Sequence, residues 1–206
     1  MWQASEDLRL RVWDTRDLSQ PAGVFEGAHN NVLTCCAVSA DGQLFVSCSN
    51  GFDGQGCELK VWDRRQSKLL FDLSGHTQSV TCCGFVPGSP SAGHAGSSPL
   101  VVSGSQDATL RSWSIEGAEG SQVSCCRLET AHRLTSLAVA PAAGRGAAQG
   151  PGDTNPANPA EQPQLLTASF SGAVGWWEMG AGGSCKLRAC ASEGSLLSRG
   201  DHETPL

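Results

Sequence analysis

Hydrophobic and polar positions alternate in short bursts along this chain, and the bursts recur as one phrase. An apolar run, a Ser/Asp turn and a strand closing on Trp reads Ser5-Glu6-Asp7-Leu8-Arg9-Leu10-Arg11-Val12-Trp13-Asp14 near the start. It returns as Ser103-Gly104-Ser105-Gln106-Asp107-Ala108-Thr109-Leu110-Arg111-Ser112-Trp113. Glu58-Leu59-Lys60-Val61-Trp62-Asp63 lies between, and a worn copy follows from Thr167 to Trp177. Period-two patterning over runs this short predicts β-strands, and the intervening Gly, Pro, Asp and Ser predict turns. Each later unit opens on a small residue and His (Ala28-His29, Gly75-His76, Ala131-His132), then a first strand at 32–39, 79–86 or 134–140. Second strands are predicted around Ser47, Ser103 and Thr167, third strands end at the Trp, and fourth strands fall at 22–26, 68–73, 122–128 and 185–191. A unit of about 45 residues, widened by insertions, implies an all-β array of radial blades.

The predicted organisation is a partial blade at 1–26, blades at 27–74 and 75–129, and a fourth at 130–191. Segments 87–99 and 141–163 replace tight turns with Gly, Ser, Pro and Ala, so the first is expected to be mobile and the second disordered. The polar tail 192–206 is expected to be disordered as well. The first unit begins in its second strand, which leaves three complete blades and one lacking a strand. The expectation is an open arc of a larger β-propeller, either a short isoform or a truncated chain, rather than a closed ring of four.

Composition narrows the function. With 206 residues, 39% hydrophobic and 17% charged, the chain can bury a core. Its net charge of −6 and the absence of a basic run longer than Arg64-Arg65 argue against nucleic acid as a partner. No apolar stretch approaches the roughly 20 residues of a membrane span, and no signal-peptide core stands at the start, so a cytoplasmic protein is expected. The 10 cysteines come as neighbours (Cys35-Cys36, Cys82-Cys83, Cys125-Cys126) or singly, without zinc-site spacing. They read as reduced thiols, one of each pair packing inward as a small hydrophobe. No metal and no cofactor is expected.

The Trp-Asp pairs Trp13-Asp14 and Trp62-Asp63, worn to Trp113-Ser114 and Trp177-Glu178, together with Gly75-His76, resemble the WD-repeat β-propeller family over nearly the whole chain. The resemblance implies a hydrogen-bonded tetrad in each blade. His76, Ser103, Asp107 and Trp113 match all four places. His29, Ser47 and Trp62 match three, with Asp53 of a Gly-rich insertion open as the fourth. His132, Thr167 and Trp177 match in the last unit, where Ser171 stands at the Asp place. Asp7 and Trp13 match in the first, with Gln3 at the Ser place. A Ser/His/Asp set also suits hydrolysis, but these residues recur once per unit with Trp beside them and lack a Gly-x-Ser-x-Gly elbow. No catalytic residue is expected.

The resemblance implies a non-enzymatic scaffold that binds other proteins. Phe52 and Phe170, aromatics in turns between second and third strands, are the candidate anchors. An alternative comes from Trp13-Asp14-Thr15-Arg16 and Trp62-Asp63-Arg64-Arg65. These are similar to the motif by which some WD-repeat proteins act as substrate receptors of cullin ubiquitin ligases, with Arg16 and Arg65 reaching the ligase adaptor. The closing Thr204-Pro205-Leu206 fits a PDZ-type ligand. A ciliary setting is implied by the resemblance alone.

Overall fold

Every stretch of strict alternation is paired with its neighbour in the sequence. The computed structural model describes residues 1–86, 100–115, 123–130, 132–140, 163–180 and 184–192. Segment 87–99, most of 141–163 and the tail beyond Ser192 lie outside them, as does Ala131. Among the described residues there is no helix; the strands form four antiparallel meanders. The first joins β1 (Trp2–Ala4), β2 (Leu10–Val12) and β3 (Gly23–Phe25). The second joins β4 (Leu33–Val38), β5 (Leu44–Ser49), β6 (Leu59–Asp63) and β7 (Lys68–Leu73). The third joins β8 (Val80–Val86), β9 (Leu100–Ser105), β10 (Thr109–Ile115) and β11 (Val123–Glu129), and the fourth β12 (Leu134–Ala140), β13 (Gln164–Ser169), β14 (Val174–Met179) and β15 (Cys185–Ala191). These are propeller-type blades.

The core lies between consecutive sheets rather than within one. Leu10, Leu33, Phe45 and Trp62 bury the first against the second. Val46, Val61, Val80, Val101 and Trp113 bury the second against the third, and Leu110, Leu134, Leu165 and Trp177 the third against the fourth. Trp62, Trp113 and Trp177 thus each pack toward the preceding sheet. Trp62 stacks on Phe45 at 5.9 Å and meets Phe25 of β3 edge-on at 5.7 Å. Because both faces of an inner blade are covered, both members of a Cys pair find apolar surroundings. Cys82 and Cys83 are both buried, whereas the sequence suggested that one of each pair would face outward. Among the described residues nothing covers the outer face of the fourth sheet, and Leu166, Val174 and Trp176 stand exposed on it.

A threonine staple joins the sheets. The first strands of the last three sheets each bulge at one position, between Leu33 and Cys35, Val80 and Cys82, and Leu134 and Ser136. The bulge residues are Thr34, Thr81 and Thr135. The Thr34 hydroxyl donates to the Val80 carbonyl of the next sheet. The Thr81 hydroxyl donates to Leu134 O at 2.8 Å, while among the described residues Thr135 reaches only Ala168 O of its own sheet. Replacing Thr81 with the isosteric Val is expected to cost about 1 kcal/mol, and Thr135→Val no more than about 0.5 kcal/mol. Denaturant midpoints compare the two.

Candidate functional site

In the third blade the indole N–H of Trp113 donates to Ser103 Oγ at 2.9 Å, and Ser103 Oγ lies 2.8 Å from His76 Nε2. His76 Nδ1 lies 2.9 Å from Asp107 Oδ2. One assignment of protons satisfies the whole chain: Trp113 donates to Ser103, Ser103 to His76 Nε2, and His76 Nδ1–H to Asp107. Asp107 also accepts the backbone N–H of Thr77 at 3.0 Å and, on its other oxygen, the N–H of Thr109 at 2.9 Å and its hydroxyl at 2.6 Å. Burial opposes its charge, but the bonds from His76 and Thr109 prevail and hold the carboxyl well below the usual range. The order Asp–His–Ser is that of a hydrolase triad. Yet Ser103 is 0% and His76 2% exposed, and the serine oxygen is occupied by an indole. A nucleophile so placed meets no substrate.

The other blades solve the same problem with different residues. Trp62 donates to Ser47 Oγ at 3.0 Å and His29 Nε2 lies 2.8 Å from that oxygen. The acid partner of His29 is Glu58, at 3.3 Å from Nδ1, and not Asp53, which stands exposed in the insertion. Glu58 precedes Trp62 by four residues, as Thr109 precedes Trp113; its longer side chain reaches where Thr109 needs Asp107 to help. That matching offset was the signal in the sequence. In the fourth blade Trp177 donates to Thr167 Oγ1 at 2.9 Å, and Thr167 turns to the Gly175 carbonyl at 3.5 Å. A Cβ on Gly175 would lie 2.8 Å from both Thr167 Oγ1 and Trp177 Nε1, so glycine makes the room. Among the described residues no side-chain bond joins His132 to Thr167, and Ser171 pairs with Ser169 instead. In the first blade Trp13 donates to Gln3 Oε1 at 2.8 Å, while Asp7 forms an ion pair with Arg11.

Burial keeps the folded His29 below its ordinary 6.5, with Glu58 working the other way. The unfolded chain therefore takes up a proton first, and stability is lost as pH falls below that value. Asp107, with its carboxyl depressed, adds its own loss only on further acidification through the carboxylate range. Denaturant midpoints measured between about pH 7 and 5 are expected to fall, and to fall less in His29→Gln.

The candidate partner residues divide between the two ends of the blades. Phe52 is 73% and Phe170 87% exposed, both in loops joining second to third strands. Neither loop dangles. Phe52 bridges to Gln55 and to Gln78 of the next blade, and the Gly54 N–H donates to Thr77 O at 3.0 Å. The Phe170 N–H donates to Arg133 O at 3.0 Å. Gly56 is required in the first loop, since it lies at φ 70° and a Cβ there would stand 1.7 Å from Asn31 Nδ2. At the opposite end, Asp63 accepts the backbone N–H groups of Arg65 and Gln66 at 2.6 and 2.9 Å and closes the turn between third and fourth strands. Asp14 does the same for Arg16 at 3.0 Å and also holds its guanidinium, Nε at 3.0 Å and Nη2 at 2.7 Å. Arg16 and Arg65 are both exposed, and Arg16 is the one whose guanidinium is paired with the Asp of its own motif.

Residues 19–63 and 67–114 match the model of the WD domain, G-beta repeat. These two segments are similar to WD40 repeats. The chain is 36% identical over 108 residues to the ribosome biogenesis protein WDR12 homolog of Chlamydomonas reinhardtii, covering 51% of this chain and 22% of that protein. It is 32% identical over 113 residues to the periodic tryptophan protein 2 homolog of Neurospora crassa, covering 52% and 11%. It is 36% identical over 67 residues to the human proteasomal ATPase-associated factor 1, covering 32% and 16%. The chain thus spans less than a quarter of each of these relatives.

The spacing of the cysteines along the chain suggested no metal set, but the fold brings three of them together. The sulfurs of Cys35, Cys48 and Cys83 all lie within 4.8 Å of one another. No disulfide forms among the described residues. Cys82 faces the other flank of its blade, where burial pushes its thiol up to about 11 and keeps it protonated.

Proposed function

We propose that this chain is a protein-binding scaffold whose partner docks on the end of the blades that presents Phe52 and Phe170. The observation that carries it is the exposure of the two rings, 73% and 87%, on loops fixed by hydrogen bonds to neighbouring first-strand loops. Large aromatics held rigid before binding lose little entropy on contact and are favoured anchors. The buried tetrads supply the rigidity and no chemistry, so the reading is non-enzymatic. The segment from Ser47 to Asp63, with its Gly-rich insertion, also resembles the C-terminal part of WD repeat-containing protein 31. A cytoplasmic, cilium-associated setting is proposed on that resemblance.

The second reading, a substrate receptor of a cullin-type ligase, places Arg16 and Arg65 against an adaptor at the other end of the blades. Arg16 would first have to leave its two-pronged pair with Asp14, which counts against it. The expected result is that Arg16→Ala combined with Arg65→Ala leaves partner capture within about twofold of wild type, and shifts stability by no more than about 0.5 kcal/mol. Affinity purification from cells expressing each variant makes the comparison. Selective loss of a ligase adaptor from the double Arg variant would establish the second reading instead.

A further inference from the structure

Three thiols from three strands meet where the second blade packs on the third. Cys35 of β4 and Cys48 of β5 are cross-strand partners, and Cys83 of β8 reaches them from the neighbouring sheet, its sulfur 3.8 Å from that of Cys48. Three sulfurs held at about 2.3 Å from one centre stand roughly 3.4–4 Å apart, so the triangle needs little contraction to become a ligand set. The arrangement is not a by-product of the repeat: at the equivalent place in the third blade, Cys82 pairs with Gly104. We propose that Cys35, Cys48 and Cys83 form a three-coordinate site for a trivalent thiophilic centre of the arsenite type.

Ligand number and charge select that class. The sulfurs share their cluster with Val46, Val61, Val80 and Val101, and the nearest recorded hydroxyl, Thr34 Oγ1 at 3.5 Å from Cys48 Sγ, is already engaged with the Val80 carbonyl. A closed zinc site takes four protein ligands, and among the described residues this one offers three. Copper(I) accepts three thiolates but would leave a double negative charge among valines, which burial penalises heavily. Arsenous acid reacts without that cost. Three As–O bonds break and three As–S bonds form, each thiol proton leaves with a hydroxide as water, no oxidation state changes, and the product is neutral. Cys35, only half-buried, provides the edge by which the centre enters.

The test uses the full, reduced chain and inorganic arsenite. The expected result is one arsenic per folded chain, with three sulfur neighbours and no oxygen by arsenic X-ray absorption. Cys35→Ser and, separately, Cys83→Ala are expected to weaken binding by more than the roughly tenfold that even an outer-shell change brings. Cys36→Ser and Cys82→Ser should leave it unchanged. Should one core variant fail to fold, the coordination number of the wild type and the remaining variant still decide. A mixed sulfur–oxygen shell, unaltered binding in both variants, or tighter retention of copper(I) or zinc than of arsenite would overturn the proposal.

Discussion

Asp107→Ala is expected to lower the unfolding free energy by about 3–4 kcal/mol. Its carboxylate satisfies the ring N–H of His76, the backbone N–H groups of Thr77 and Thr109, and the Thr109 hydroxyl. Each donor stranded away from water costs about 1–3 kcal/mol, and the more exposed of them recover part of that from solvent. His76, 2% exposed, recovers none. Asp53 provides the contrast. It sits exposed at φ 53°, so Asp53→Ala loses only about 1 kcal/mol through the backbone, and Asp53→Asn nothing measurable. Equal midpoints for Asp107→Ala and Asp53→Ala in denaturant would mean that the tetrad does not hold the blade.

Replacing Phe52 and Phe170 together with Ser is expected to abolish partner binding while leaving the fold intact. An aromatic anchor is worth about 2 kcal/mol or more, close to 30-fold in affinity, and two in one footprint about 1,000-fold if they act independently. Neither ring supports the core: Phe52 and Phe170 are absent from all three buried clusters, and their loops are held by backbone groups that Ser preserves. Stability should move by no more than about 0.5 kcal/mol per site. Melting curves and binding isotherms on the same preparations separate the two effects. A fall in melting temperature parallel to the loss of binding would show that the rings pack rather than dock.

Much of the fold was legible because each strand is short and its neighbour in sequence is its neighbour in space. The repeated Trp fixed the third strand of every unit, and the period-two runs before it fixed the others. The complete tetrad was equally plain, since His76, Ser103, Asp107 and Trp113 keep the family's offsets. Glu58 was not, because the insertion stretches the interval between Ser47 and Trp62 and draws attention to Asp53 within it. The departure of His132 from Thr167 was hidden for another reason: Gly175 lets the Thr hydroxyl bond a carbonyl of its own hairpin. The threonine staples and the Cys35–Cys48–Cys83 triangle depend on how one sheet packs on the next. No pattern within a single unit encodes that. Whether Phe52 and Phe170 lie flat or stand out is likewise set by contacts between loops of adjacent strands and blades.

The most direct measurement is amide hydrogen exchange on the chain, free and with its captured partner. The account predicts slowed exchange at residues 50–57, 77–78, 132–133 and 169–173, the loops that carry and brace Phe52 and Phe170. Protection confined to 14–17 and 63–66, around Arg16 and Arg65, would contradict it.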